Sequence, residues 1–282
     1  MKKVLKGIGL FALTLLLFNS CEKEEFSFGP DDPLYIADEA FLSALLEEGV
    51  DTNGDGSISY REAEALTVLK VRNRDISFLA GIEMFINLDT LDCSANQLHH
   101  LDVSTIPGLV HLACYGNLLS ELDVSKNENL RDLYCSGNQL SSLDVSNNTA
   151  LVQLNCASNL ISHLDVSGNP ELKFLSCPRN HLGSLDLSQN PELESLTCYE
   201  NKLEDLDVSL NLKLVYLYCA ENQLSQLDVS NNAELVILYC WDNQLPELEV
   251  SENTALSQLL CSENQLGELD VSNNLLLRDI NC

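Results

Sequence analysis

Oxygen-bearing side chains crowd one short run of the chain, Asp51-Thr52-Asn53-Gly54-Asp55-Gly56-Ser57-Ile58-Ser59-Tyr60-Arg61-Glu62. This run satisfies the pattern D-x-[DN]-x-[DN]-G-x5-E, in which hard oxygen donors are spaced around a glycine turn. The blander reading is a polar, glycine-rich turn that holds no metal. Other chemistry is sparse. His99, His100, His111, His163 and His181 form no metal-ligand spacing, and no nucleophile motif or phosphate loop is found. An enzyme is therefore not expected.

The 51–62 run resembles an EF-hand loop. The resemblance implies calcium held by Asp51, Asn53 and Asp55, the Ser57 carbonyl, a water on Ser59 and both oxygens of Glu62, with Gly56 at the sharp turn. Phe41, Leu42, Leu45 and Leu46 fall at helical spacing behind Asp38, a suitable N-cap, and Gly49 suits the helix end. Sensors usually pair two such loops, and one is found here, so the expected calcium is structural. Extracellular modules of this kind bind at about 10⁻⁴–10⁻³ M, so the site would stay filled.

The elements that carry these residues follow from a repeat. Leucine recurs at Leu88, Leu109, Leu130 and onward to Leu277 at a constant spacing of 21 residues. Within a unit the order is Leu88-x-x-Leu91-x-Cys93-x-x-Asn96-x-Leu98-x-x-Leu101-Asp102-Val103-Ser104. This resembles the leucine-rich repeat, with cysteine in the third leucine position. One unit of this length cannot bury its apolar edge alone, whereas stacked units share a core and a parallel strand ladder. Ten strands about 4.8 Å apart would make an arc roughly 45 Å long.

Three columns run along such a stack. Cys93 and its counterparts to Cys282 account for ten of the 11 cysteines. Side chains in one column project in parallel, which disfavours disulfide pairing and offers no tetrahedral metal cluster, so they are expected to be free and buried. Asn96 to Asn264 should satisfy buried backbone of the turns. The Asp102 to Asp270 column, with Glu249 in one repeat, needs compensation for its like charges. The serine two residues later can supply it; a row of calcium sites would require further oxygen ligands that the repeat lacks.

The outward strand positions are where leucine-rich repeats generally bind. Every aromatic from residue 88 onward falls there: Tyr115, Tyr134, Phe174, Tyr199, Tyr216, Tyr218, Tyr239 and Trp241. Tyrosine is a favoured strand residue, but that preference alone does not explain confinement to one face. A ligand-binding patch centred on Tyr216, Tyr218, Tyr239 and Trp241 is expected, with Asp132, Glu200, Glu221, Asp242 and Glu263 nearby.

Residues 1–20 read as an export signal, with Lys2, Lys3 and Lys6 before an apolar run from Gly7 to Phe18. Leu17-Phe18-Asn19-Ser20-Cys21 resembles the lipobox of bacterial lipoproteins, which implies lipidation of Cys21 and an outer-membrane anchor. Glu22-Lys23-Glu24-Glu25 resembles the acidic stretch of surface-exported lipoproteins. A formal charge of −28 opposes nucleic acid and anionic headgroups, so membrane association is expected through the lipid alone.

The expected fold is an α/β repeat, a leucine-rich-repeat parallel β-solenoid with an EF-hand-like helix-loop-helix cap. Its divisions are signal 1–20, anchor and linker 21–33, cap 34–65 and repeats 66–282. The repeats comprise a transitional unit 66–87, nine full units over 88–276 and a fragment 277–282. The expected function is adhesin-like binding of an extracellular protein or glycan at the cell surface. The alternative is a structural protein that self-associates through the strand edge at its C-terminal end.

Overall fold

A computed structural model describes residues 29–282. The expected signal, Cys21 and the acidic stretch after it lie outside the described residues. Among the described residues no helix is long and apolar enough to cross a membrane.

Parallel strands of three residues each recur along the chain: β1 (Val68–Lys70), β2 (Thr90–Asp92), β3 (His111–Ala113), β4 (Asp132–Tyr134), β5 (Gln153–Asn155) and β6 (Phe174–Ser176). They continue as β7 (Ser195–Thr197), β8 (Tyr216–Tyr218), β9 (Ile237–Tyr239), β10 (Gln258–Leu260) and β11 (Asp279–Asn281). All join one sheet in chain order. The register follows the repeat: Tyr216 pairs with Ile237 and Tyr218 with Tyr239. At the first rung Val68 pairs with Thr90, a step one residue longer, as the sequence spacing anticipates.

The strands are short because each residue triplet has one inward member. Leu91, Leu112, Leu133 and their successors to Leu259 are buried, while the residues on either side face outward; Ile280 of β11 is exposed. Cys93 through Cys261 are free and buried one residue beyond each strand, and Leu98, Leu101 and Val103 close the rung from the other sides. Cys282 is free and exposed. Burial pushes the Cys93 thiol up to about 12, so the column packs as small apolar side chains rather than as reactive thiolates.

Two polar ladders hold the turns. Each asparagine of the Asn96 to Asn264 series bridges rungs: Asn180 Nδ2 donates to the carbonyls of Cys156 at 3.0 Å and Cys177 at 3.1 Å, and its Oδ1 accepts from the Ile161 N–H at 3.0 Å. A second ladder, Asn127 to Asn274, does the same for the opposite turns. Asn190 Nδ2 donates to the carbonyls of Val166 and Asn169, both at 2.9 Å. Its carboxamide oxygen is buried without a donor, as in every rung of this second ladder. The Asp column is explained by its own loop, since the Ser104 N–H donates to Asp102 at 2.9 Å and the pattern recurs to Ser272 and Asp270.

Two short helices precede the sheet. Helix α1 (Glu39–Glu47) starts at Asp38, whose Oδ1 accepts from the Phe41 N–H at 2.9 Å, and the chain leaves it through Gly49 at φ +75°. Helix α2 (Tyr60–Ala65) starts at Ser59 with a reciprocal capping box to Glu62. Phe41, Leu45 and Ile58 belong to the same continuous buried cluster as the repeats, and the Phe41 and Phe85 rings lie 6.5 Å apart. Polar ties bind the helices to the first rungs: Asp38 Oδ2 also accepts from the Ser77 and Phe78 N–H groups, Arg74 reaches Glu47 at 2.6 Å and Glu48 at 3.5 Å, and Asn87 donates to the Glu64 carbonyl at 2.7 Å.

Candidate functional site

The outward strand positions gather the aromatic side chains the sequence singles out. Tyr216 and Phe174 are each 39% exposed, and Tyr115, Tyr134, Tyr199, Tyr218, Tyr239 and Trp241 are half-buried. Strand register brings four of them together. Tyr218 and Tyr239 meet edge to face with centroids 5.1 Å apart, Tyr216 shares β8 with Tyr218, and Trp241 follows Tyr239 by two residues on the same face. Tyr199 follows β7 on the neighbouring rung, and Tyr115, Tyr134 and Phe174 are distributed further along the sheet. The Tyr239 hydroxyl donates to Gln258 at 2.5 Å and the Tyr134 hydroxyl to Gln153 at 2.9 Å, which fixes both rings. Rigid, half-exposed rings lose little conformational entropy on binding, the property that enriches tyrosine and tryptophan at interface hot spots.

Acids border this patch at the residue that leaves each strand. Glu200, Glu221, Asp242 and Glu263 occupy successive rungs, all with left-handed φ between 51° and 56°. Burial, then the neighbouring Glu200 and Asp242 carboxylates, pushes the Glu221 carboxyl up from its ordinary range. Arg179 bonds Glu200 at 2.9 Å, and its charge offsets part of the rise at Glu221 without a hydrogen bond to it. His111 pairs with Asp132 at 2.5 Å at the opposite end of the sheet, and the five histidines are all solvent-exposed.

A larger concavity lies outside the strand face, a groove of about 1390 Å³ lined by Asp205, Asp228, Glu247, Glu268 and Asp270 with Leu206, Leu227 and their counterparts beneath. Leu206, Leu227 and Leu248 are buried, Leu269 is half-buried, and no aromatic side chain lines the groove. Asp207, Asp228 and Asp270 already accept backbone N–H groups. It therefore offers little apolar surface to bury, whereas the strand face does, and the strand face is the better candidate for a protein interface.

The 51–62 loop is ordered by its own acids. Asp51 accepts from the N–H of Gly54 at 2.7 Å and of Gly56 at 2.8 Å, Asn53 from Asp55, and Asp55 from Ser57. Gly54 and Gly56 take φ +76° and +81°, which a side chain would strain. Glu62 turns inward. Its Oε1 accepts from Thr52 N–H and hydroxyl, both at 2.8 Å, and its Oε2 from Ser59 N–H and hydroxyl. Among the described residues no three Asp, Glu, His or Cys side chains stand close enough together to enclose an ion.

Burial would raise the Glu62 carboxyl, but the bonds from Ser59 and Thr52 outweigh it and hold the group down to about 2. A carboxyl lowered by folding stabilises the fold above its unfolded value, 4.5, and that contribution disappears as pH falls through about 2. Urea unfolding at stepped pH should therefore show the wild type falling toward Glu62→Gln across this window. A constant gap between the two down to the lower end would contradict the assigned ionisation.

No protein-family profile matches the chain, and no curated protein matches it in sequence. Solved structures do match. The functional domain of InlJ from Listeria monocytogenes, which includes a cysteine ladder, is 34% identical with a TM-score of 0.68. That match covers 79% of this chain and 55% of that one. A leucine-rich-repeat protein of Leptospira interrogans is 22% identical with a TM-score of 0.73, covering 78% and 61% of the two chains, and shows the fold alone. YopM from Yersinia enterocolitica is 29% identical with a TM-score of 0.58, covering 70% and 46%. The chain thus spans less than two thirds of each of these relatives.

Proposed function

We propose that this leucine-rich-repeat protein, a solenoid of 21-residue repeats with a cysteine ladder, is a surface-displayed binding protein whose partner docks on the strand face. The observation that carries the reading is the confinement of every aromatic of the 21-residue units, residues 88–282, to that face, with Tyr216, Tyr218, Tyr239 and Trp241 gathered on adjacent rungs. Binding rather than catalysis suits a site with aromatic anchors and no nucleophile-base pair. A protein partner is favoured over a glycan, because the patch is bordered by acids on several rungs and can engage an extended surface.

The sequence supports export and anchoring: the signal-like residues 1–20 and the lipobox-like segment ending at Cys21 would place the solenoid outside the cell on a lipid tether. Calcium in the 51–62 loop would be structural. Its donor set is oxygen only, and its Asp and Asn side chains already shape the turn; to ligate an ion, Glu62 would have to exchange its bonds to Thr52 and Ser59 for the cation. Asp51, Asn53, Asp55, the Ser57 carbonyl, a Ser59-held water and Glu62 would then surround it.

An array of extracellular proteins and glycans, probed with calcium present, tests the reading. The wild type should retain a specific protein, and the fourfold Tyr216→Ser, Tyr218→Ser, Tyr239→Ser, Trp241→Ser variant should lose it. Retention of that protein by the variant at full strength would exclude the strand face.

A further inference from the structure

The residue after each cysteine of the ladder forms a column along the border of the strand face, and three of its members are aromatic: Tyr115, Tyr199 and Trp241. The chain seats its own guanidinium on the first two. Arg72 lies over the Tyr115 ring at 5.2 Å, and Arg179 over the Tyr199 ring at 5.8 Å. In both cases the arginine comes from an earlier rung. Arg179 also donates from Nε to Glu200 at 2.9 Å, so one guanidinium bridges an aromatic face and the carboxylate beside it.

The third aromatic breaks the rule. No guanidinium of the described residues lies over Trp241, which presents the largest π face of the three and the strongest attraction for a cation. The residue one rung earlier, where Arg179 stands relative to Tyr199, is Glu221. Asp242 takes the place of Glu200, and Glu263 follows on the next rung. The rung therefore keeps the ring and the acid of the Tyr199 site and replaces its cation with another acid. Like charges on adjacent rungs are unfavourable unless a cation comes between them.

The geometry points to Trp241, Glu221 and Asp242 as a guanidinium subsite: an arginine side chain of the partner stacks on the indole and bonds the two carboxylates, as Arg179 does on Tyr199 and Glu200. The inference rests on the strand-face reading and adds the chemistry of the partner at one point. Arginine rather than lysine is specified because a planar guanidinium can stack on the ring and bond an acid at its edge at once, whereas an ammonium is a strongly hydrated point charge.

Trp241 is the chain's one tryptophan, so its fluorescence reports this position directly. The full chain is titrated at physiological ionic strength with capped tetraarginine, tetralysine and tetracitrulline. Tetraarginine should change the Trp241 emission with about five- to tenfold higher affinity than tetralysine, and tetracitrulline should have no effect. The double variant Glu221→Gln, Asp242→Asn should lose the preference. Asp207→Asn, Asp228→Asn, which removes the same charge from the far groove, should keep it. Arg179→Ala should add a second tetraarginine site by calorimetry, since it empties the Tyr199 and Glu200 position. Equal affinity for the two cationic peptides, or equal loss in both double variants, would reduce the effect to net charge and overturn the proposal. If that happened while the fourfold aromatic variant still lost its array partner, the strand-face reading would stand and the guanidinium subsite would not.

Discussion

Asn180→Ala is expected to cost about 2–4 kcal/mol of stability, because it leaves the buried Ile161 N–H without an acceptor and takes one of two asparagine donors from each of the Cys156 and Cys177 carbonyls, which keep Asn159 and Asn201. Its Nδ2 bonds the Cys156 and Cys177 carbonyls and its Oδ1 the Ile161 N–H, and all are buried within the turn. Each buried group left unpaired carries a penalty of about 1–3 kcal/mol, and water reaches this turn poorly because Asn180 is only 5% exposed. Position matters as much as chemistry. In a solenoid each rung is held by its neighbours, so a fault at the middle weakens the coupling between two blocks. Urea unfolding should show a lower midpoint and a broadened transition. The matching control is Asn147→Ala, whose exposed carboxamide makes one long contact of 3.5 Å and whose loss should cost about 0.5 kcal/mol or less. Equal costs at the two positions would remove the ladder from the account of stability.

Calcium should raise the melting temperature by several degrees. If the 51–62 loop binds at about 10⁻⁴–10⁻³ M, calcium at a hundredfold excess over its dissociation constant stabilises the folded state by about 2.7 kcal/mol. The effect should extend beyond the loop, because Ile58 and the helices on either side share the buried cluster of the first rungs and Arg74 and Asp38 tie them to the sheet. Asp51→Asn with Asp55→Asn should abolish the calcium increment at a modest cost to the metal-free melting temperature, since Asp55→Asn keeps the acceptor for Ser57 whereas Asp51→Asn keeps only one of the two acceptors used by Gly54 and Gly56. Magnesium, which demands tighter octahedral geometry, should shift the melting temperature less. A melting temperature indifferent to calcium would return the loop to a polar turn that is stable without metal.

How much of this was legible in the sequence depends on whether the repeat carries the information. Any feature confined to one rung is copied by the 21-residue translation, so the Leu91 and Cys93 columns, the Asn96 ladder, the Asp102 to Ser104 turn and the outward aromatics are read correctly from spacing alone. The free, buried state of Cys93 to Cys261 follows from the same parallelism. The second asparagine ladder was visible at the same spacing, in Asn127 and its counterparts, but asparagine after a serine looks like ordinary turn chemistry until the fold shows its Nδ2 bridging rungs.

Features that break the translation were not legible. Asp38 reads as a helix cap and does cap α1, yet its second oxygen holds Ser77 and Phe78 across 39 and 40 residues of sequence. Arg74 stands in the asparagine position of the transitional unit, and only the packing of α1 shows why: it pairs with Glu47 and Glu48 there. The pairing of Arg72 with Tyr115 and Arg179 with Tyr199 was equally hidden, since it joins a cation on one rung to a ring on another through side-chain reach rather than spacing.

The most direct test of the account compares partner affinity for two variants of equal size on two surfaces. One carries the fourfold serine change at Tyr216, Tyr218, Tyr239 and Trp241; the other carries Asp205→Asn, Asp228→Asn, Glu247→Gln and Glu268→Gln in the large acidic groove. The account predicts that the first loses about a hundredfold or more in affinity, as expected when clustered aromatic anchors are removed, and that the second changes chiefly the salt dependence of association. A partner that tolerates the first variant and is lost with the second would place the binding site in the groove and contradict the strand-face assignment.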